Sequence, residues 1–154
     1  MAKSQQVLPL GPGETEWMAV RQDRNTRYGP QKKLVCDVVL FQKKPGQAKK
    51  KMGIWGSKTK GGRHWLKVKA AGKSWYWHRL VAWCFGNPRN LSWSTFHKLQ
   101  SPDKYKYQAG HLSRTETDCT ASNLKVMTRR QNLLMYQSEA QAKHRTVYRG
   151  SFTA

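Results

Sequence analysis

Alternation between apolar and polar positions predicts two short β-strands joined by a turn near the middle of the chain. In residues 65–70 the aliphatic side chains fall on one face of an extended strand, and Trp65, Lys67 and Lys69 fall on the other. Residues 71–77 begin with turn formers and then return as a second strand. This pattern is typical of a β-hairpin with one buried face and one exposed face.

The hydrophobic period changes on either side of this hairpin. In residues 78–85 apolar side chains recur four positions apart, which predicts a short helix that ends at Gly86 and Pro88. Upstream, the β-branched apolar run at 34–41 predicts a buried strand. Residues 1–13 are expected to form an extended leader.

The last third of the chain predicts two strands and a helix in succession. Residues 105–109 and 123–127 are short strands separated by a polar loop. Thr128 and Gln131 have the spacing of a capping box, so a helix is expected over about 129–143. The predicted fold class is α+β, in which an antiparallel hairpin and a short helix lead into this strand, strand, helix unit.

Charge adds a functional expectation to this fold. The 154 residues include 29 Lys+Arg and 8 Asp+Glu, a net charge of +21. Such self-repulsion favours a polyanionic partner that neutralises it. No acidic residue occurs between Asp37 and Asp103, where fourteen basic residues and six of the seven tryptophans fall. Phosphates bind the cations and exposed bases stack on the aromatic rings, so the pattern favours a nucleic-acid partner. The alternative is that the tryptophans belong to the hydrophobic core and the lysines form a solvent-exposed face.

Several other protein classes are excluded by what the sequence lacks. No apolar run reaches the length of a membrane span, and residues 1–6 lack the apolar stretch of a signal peptide. Cys36, Cys84 and Cys119 are far apart and form no C-x-x-C pair, so neither a disulfide framework nor structural zinc is expected. We therefore expect an intracellular protein of a reducing compartment, the cytoplasm, the nucleoid or a phage-infected cell, that is not secreted.

Ordered motifs in the second half resemble those of a known nuclease family. They are H-R-L-V-A at 78–82, N-P at 87–88, Gly110-His111, Asn123-Leu124, Thr128 and Asn132, after a glycine-started hairpin at 62–76. The sequence resembles the HNH homing endonucleases over about residues 62–136, and the family is built on a ββα-metal (His-Me finger) core. The resemblance divides the chain into a basic, DNA-contacting region with one strand (1–60), the nuclease domain (61–143) and a C-terminal tail (144–154).

The resemblance implies a Mg²⁺-dependent endonuclease that cleaves DNA phosphodiester bonds. It assigns the general base to His111, because a neutral imidazole accepts a proton from water at physiological pH. It assigns a metal-binding side-chain oxygen to Asn132, and to Asn123 the bracing of the loop that orients the histidine. Mg²⁺, or another divalent cation, needs only one or two protein oxygens because water and phosphate complete its coordination.

One position departs from the family pattern. Many HNH sequences have an aspartate before the histidine as a metal ligand, and this chain has Gly110 there. Asp118 is the candidate that compensates from the loop, with Glu116 as the alternative. Cys119 replaces a second family-typical asparagine and is interpreted, like Cys84, as a small apolar residue without a catalytic role.

A set of basic residues and one tryptophan is expected to contact the nucleic acid. For Arg79 two interpretations stay open, a planar clamp on phosphate and a bond to a carboxylate or carbonyl within the protein. Double-stranded DNA is the expected partner and RNA the alternative, while the oligomeric state is left open. The set is Lys58, Lys60, Arg63, Trp65, Lys67, Lys69, Lys73, Arg79, Arg114, Arg129 and Arg130.

Two competing functions follow from the same features. Gly110 and the high charge also fit a noncatalytic nucleic-acid-binding protein on a degenerate HNH scaffold, in a ribonucleoprotein or packaging role. That protein would bind with steep salt dependence, without metal, and equally well after His111→Ala. A module for other polyanions or anionic membranes rests on charge alone, and no membrane partner is expected.

Overall fold

The N-terminal third forms a four-stranded antiparallel sheet in the order β1-β2-β3-β4. The strands are β1 (Gln5–Leu8), β2 (Glu16–Tyr28), β3 (Leu34–Lys43) and β4 (Lys50–Lys51). The structure is a computed structural model that describes residues 3–58, 62–101, 104–113 and 115–135.

The predicted strand at 34–41 is confirmed as β3, but the sequence analysis missed β1, β2 and β4. Only β3 has a continuous apolar run. β2 buries Trp17 and Ala19 but is polar over most of its second half, and β1, a short edge strand within the expected extended leader, pairs with it through Gln5↔Val20 to Leu8↔Trp17. Pairing with a neighbouring strand, β3 for β2 and β2 for β1, rather than hydrophobic pattern, therefore determines these two strands.

A three-stranded antiparallel sheet follows, made of β5 (Ile54–Lys58), β6 (His64–Ala70) and β7 (Lys73–Tyr76). The predicted hairpin and its buried face are confirmed, since the aliphatic side chains of β6 are at most 2% exposed. Its turn places Ala71 and Gly72 at φ of 52° and 75°, the positive values of a two-residue hairpin turn. β5 pairs with β6, so the proposed boundary at residue 60 falls between two paired strands.

The helix α1 (Trp77–Phe85) lies at the centre of the core. It confirms the predicted short helix, and its buried side chains pack against residues of both sheets in one hydrophobic cluster. Gly86 follows it, and a Cβ there would collide with the backbone carbonyl of Leu124. This close approach holds the end of α1 against the strand that begins at Leu124.

The remaining elements are short. The helix α2 (Trp93–Phe96) and the strand pair β8 (Leu99–Ser101) and β9 (Lys104–Tyr105) follow α1 along the chain. No helix within the described ranges is long and apolar enough to cross a membrane.

The C-terminal elements have the predicted order of strand, strand and helix. β10 (Tyr107–His111) pairs antiparallel with β11 (Leu124–Thr128), and residues 129–135 are helical, here named α3. Thr128 and Gln131 exchange two 3.0 Å hydrogen bonds between side chain and backbone, so the capping box is confirmed. The α+β fold class is confirmed, and the predicted helix beyond 135 and the tail at 144–154 lie outside the described residues.

Candidate active site

A cleft of about 450 Å³ is lined by residues of the three-stranded sheet (β5 to β7), α1, β10 and α3. Two of the sequence-predicted chemical residues, His111 and Asn132, line it, and Asn123 lies behind His111 in the loop between β10 and β11. The lining residues are Arg63, Trp65, Tyr76, His78, Arg79, Tyr105, Gln108, Ala109, His111, Glu116 and Asn132.

His111 is the last residue of β10 and is 3% exposed. Its ring stacks on the ring of His78, with centroids 5.7 Å apart and planes 23° from parallel. Burial lowers the pKa of His111, and the carboxylates of Glu116 and Asp118 offset only part of this. His111 is therefore a neutral imidazole at physiological pH, the protonation state that a general base needs.

Cys119 lies against the ring of His111. The Cys119 sulfur is 3.7 Å from His111 Nε2 and 3.5 Å from the backbone carbonyl oxygen of Glu116, and burial raises the pKa of Cys119 so that it stays a thiol. One arrangement satisfies both contacts with a single thiol proton: the thiol donates to the carbonyl and the sulfur accepts from Nε2–H. In that tautomer Nδ1 of His111 carries the lone pair.

Asn123 braces the loop that follows His111. Its side-chain oxygen accepts from Ser113 N at 2.8 Å, and its Nδ2 donates to the Asp118 carbonyl at 2.8 Å. Its backbone carbonyl accepts from Leu112 N at 2.8 Å. Three bonds thus tie the two ends of the loop together, so Asn123 positions the histidine and lies outside the reacting site itself.

Asn132 presents an oxygen to the cleft from α3. Its Nδ2 donates to Gln108 Oε1 at 3.0 Å, which fixes the amide so that the oxygen is the free end. Asn132 Oδ1 is buried and has no hydrogen-bond partner among the residues that the structure describes. A buried acceptor without a partner costs free energy, and a hard cation is one group that satisfies it. The residues present therefore fit a hydrated divalent ion.

The sequence analysis preferred Asp118 to Glu116 as the carboxylate that compensates for Gly110, but of these two it is Glu116 that lines the cleft. Asp118 Oδ1 accepts from the backbone N and the hydroxyl of Thr120 at 3.2 and 2.7 Å, and its side chain borders a different cavity, shared with Asp37. Glu116 lines the cleft and pairs with Arg63 at 3.7 Å. Glu116, the alternative, is thus the carboxylate beside His111.

The position before His111 is covered by a flexible side chain. A Cβ added to Gly110 would meet the thioether of Met127 on the paired strand, so Met127 would have to move to admit a larger residue there. Many HNH sequences have an aspartate at this position. In the part of the chain that the structure describes, no three His, Cys, Asp or Glu side chains are grouped to hold a metal.

Arg79 acts inside the protein, in line with the second of its two interpretations. Its two terminal nitrogens donate to the carbonyls of Tyr107 and Phe96, each at 2.6 Å, and its guanidinium lies 3.7 Å from the ring centroid of Tyr105. Burial lowers the pKa of Arg79 to about 10, so it stays charged. Each terminal nitrogen has a second N–H group, so the two bonds anchor the guanidinium within the protein and do not test the predicted clamp on phosphate.

The other predicted nucleic-acid contacts lie on the rim of the cleft and beside it. Arg63, Arg129 and Arg130 line an adjoining groove of about 800 Å³ that shares Gln108 and Asn132 with the cleft. Trp65 lines the cleft itself. The lysines at 58, 67, 69 and 73 lie on the three-stranded sheet, and Lys60 and Arg114 lie outside the described residues.

Sequence reasoning missed three contributors to the site. His78 stacks between Trp65 and His111, and burial beside His111 lowers its pKa to about 3. Cys119 contacts the catalytic candidate, although it was interpreted as merely apolar. The loop also docks on β3, where Val35 exchanges 2.8 Å backbone bonds with Thr117 and Cys119. The only sequence signal was the position of His78 in H-R-L-V-A.

Comparisons with known proteins leave the family open. Neither a family model, nor a curated protein, nor a solved structure matches the chain. The resemblance to HNH endonucleases therefore stays a prediction carried by its motifs.

Proposed function

We propose that the protein is a Mg²⁺-dependent, HNH-type endonuclease that cleaves DNA. The observation that carries the proposal is the cleft that holds both a neutral His111 and the buried Asn132 oxygen with no partner in the described part of the chain. A general base and a cation-binding oxygen on one cavity wall are what metal-assisted phosphodiester hydrolysis requires.

Each residue has a defined part in this chemistry. His111 accepts the proton of the attacking water through Nδ1, because Nε2–H is held by Cys119. Asn123 keeps the histidine in place through the loop, and Asn132 supplies an oxygen that, with Glu116 across the cleft, would hold the ion. Bound Mg²⁺ would stabilise negative charge on the phosphate. Arg129 and Arg130 are exposed beside Asn132 and would bind flanking phosphates.

A noncatalytic nucleic-acid-binding protein is the second candidate. It is favoured by one observation, that Gly110 provides no carboxylate before His111 and the Met127 side chain covers this position. The net charge of +21 supports both candidates equally. Three free, buried cysteines support our further proposal of a reducing compartment.

The deciding experiment is cleavage of a supercoiled plasmid with Mg²⁺ or Mn²⁺ by the wild type and His111→Ala. Removal of a general base is expected to lower the rate roughly 10²- to 10⁴-fold. His64→Ala is the matched control, because His64 lies on β6 and is not among the residues lining the cleft. Equal cutting by wild type and His111→Ala, or no cutting with any divalent metal, would exclude the enzyme and leave the binding protein.

A further inference from the structure

The outer face of the three-stranded sheet presents a row of exposed aromatic and basic side chains. Trp55 pairs with Lys67, and Lys67 pairs with Tyr76, so one residue from each strand lies in a line across the sheet. Paired residues of antiparallel strands point to the same face. Trp55 is 40% exposed and Tyr76 is 45% exposed, while Val68, which follows Lys67 on β6, and Trp75, which precedes Tyr76 on β7, are buried on the other face.

This row is continuous with the cleft. The Trp65 ring lies 6.2 Å from the Tyr76 ring and stacks on His78 at 5.0 Å. His78 in turn stacks on His111 at 5.7 Å. A series of ring contacts therefore runs from the exposed Tyr76 through Trp65 and His78 to the candidate general base.

The charge on this surface is of one sign. The Lys67 ammonium lies 5.3 Å from the centre of the Tyr76 ring, and Lys69 is exposed two residues further along β6. No acidic residue occurs in the sequence from 38 to 102. We name Trp55, Trp65, Lys67, Lys69 and Tyr76 together the stacking face.

We propose that the stacking face binds an unpaired segment of DNA and leads it into the cleft. Phosphates pair with Lys67 and Lys69, and bases stack on Trp55 and Tyr76. In a duplex the flat faces of the bases are covered by their neighbours, so only an unpaired strand uses exposed rings in this way. The inference rests on the proposed function in one respect, that the bound strand is the one His111 acts on.

The spacing of the rings agrees with this occupant. Trp55 and Tyr76 are two strands apart, which places them roughly 10 Å from each other across the sheet. A single strand with unstacked bases spans that distance over one or two nucleotides, whereas an isolated ring would bind only one base. The preferred substrate is therefore DNA with a single-stranded segment, such as a bubble, a flap or a displaced strand.

The test measures binding in EDTA, so that its outcome does not depend on cleavage. A labelled single-stranded oligonucleotide and its duplex are titrated by fluorescence anisotropy at one fixed salt concentration. Trp55→Ala is expected to weaken single-strand binding by roughly 5- to 150-fold and to change duplex binding by less than about 3-fold. Trp55→Phe, which keeps a ring, is expected to restore most of the affinity. Lys69→Ala is expected to weaken both complexes alike.

Val7→Ala is the control for loss of an exposed apolar side chain, since Val7 lies on β1 and is 46% exposed. Circular dichroism of each variant establishes that it is folded. Unchanged single-strand binding by Trp55→Ala, or an equal loss for single strand and duplex, would overturn the proposal. Tighter binding of a matched RNA strand would overturn the choice of DNA. Single-strand-selective binding, with no cleavage of either the plasmid or a bubble substrate in Mg²⁺ or Mn²⁺, would uphold the stacking face and refute only the enzyme.

Discussion

The N-terminal sheet and the cleft bury different kinds of side chain. The buried residues of β1 to β4 are apolar, with Leu34 and Leu40 fully inside. Of the described residues, the three buried polar or charged ones are Arg79, His111 and Asn123, and all three belong to the cleft or its loop. Burial of a polar group costs free energy unless the group has a partner. The clustering of the buried polar residues at the cleft and its loop therefore indicates a functional site rather than a requirement of stability.

The two regions nevertheless depend on each other. Asp37 of β3 accepts from Ala121 N at 2.8 Å and pairs with Arg21 at 3.6 Å. The loop that carries Cys119 thus rests on the edge of the N-terminal sheet. The apolar sheet provides stability, and the polar loop uses that rigid support to hold His111. Substitutions in the two regions should therefore separate stability from activity.

The largest effect is expected in the N-terminal sheet. Leu40→Ala removes a fully buried side chain and leaves a cavity, so it should lower the free energy of unfolding by about 2–5 kcal/mol. Urea unfolding measures this. Cleavage by the fraction that remains folded should match the wild type within about 2-fold. A comparable loss of cleavage in folded Leu40→Ala would show that the two regions are not separable.

The opposite result is expected for Asn132. Asn132→Ala removes the oxygen that lacks a partner among the described residues, so cleavage should fall about 100-fold with little loss of stability. Asn132→Asp keeps an oxygen and adds charge, and should reach half-maximal rate at a lower Mg²⁺ concentration. The rate is measured against Mg²⁺ for all three proteins. Full activity of Asn132→Ala at every Mg²⁺ concentration would remove Asn132 from the site.

A smaller effect is expected where the loop meets the histidine. Cys119→Ala removes the acceptor for Nε2–H, so His111 should lose its fixed tautomer and cleavage should fall roughly 10-fold. Cys119→Ser keeps both hydrogen bonds and should retain activity. Nitrogen-15 chemical shifts of the His111 ring report the tautomer directly. The same Nε2–H tautomer in Cys119→Ala as in the wild type would show that the thiol has no positioning role.

The last effect concerns the pH dependence of stability. Burial lowers the pKa of His78 to about 3, so the unfolded chain binds this proton more readily than the folded one below pH 6.5. Above pH 6.5 His78 is neutral in both states and does not affect the free energy of unfolding. As the pH drops from 6.5 toward 3, protonation in the unfolded chain lowers the free energy of unfolding by about 1 kcal/mol per pH unit.

His78→Phe tests this because it keeps a ring against Trp65 but has no titrating group. Its stability should fall less steeply between pH 6 and 4 than that of the wild type, in thermal melts compared at each pH. His111 and His97, whose pKa values are also lowered by burial, remain in both proteins and cancel in the comparison. Equal slopes would mean that His78 is hydrated enough to titrate normally.

Periodicity and local hydrogen-bonding chemistry determined a large part of this protein from the sequence alone. The β6–β7 hairpin, α1, the strand β3 and the Thr128 capping box depend on neighbours within a few positions, and such signals are readable along the chain. The resemblance to HNH endonucleases, rather than periodicity, indicated His111 and Asn132, which line the cleft, and Asn123, which braces the loop behind His111.

Only the tertiary structure decided how those residues are supported. β2 depends on pairing with β3 and β1 on pairing with β2, and the role of Arg79 depends on two carbonyls that lie 17 and 28 positions away. Three other contacts also join distant segments. Cys119 lies against His111 Nε2, the loop that carries Cys119 bonds to Val35 of β3, and Met127 covers Gly110. Side-chain pattern reports which face is buried, but which group meets which in the interior follows from packing.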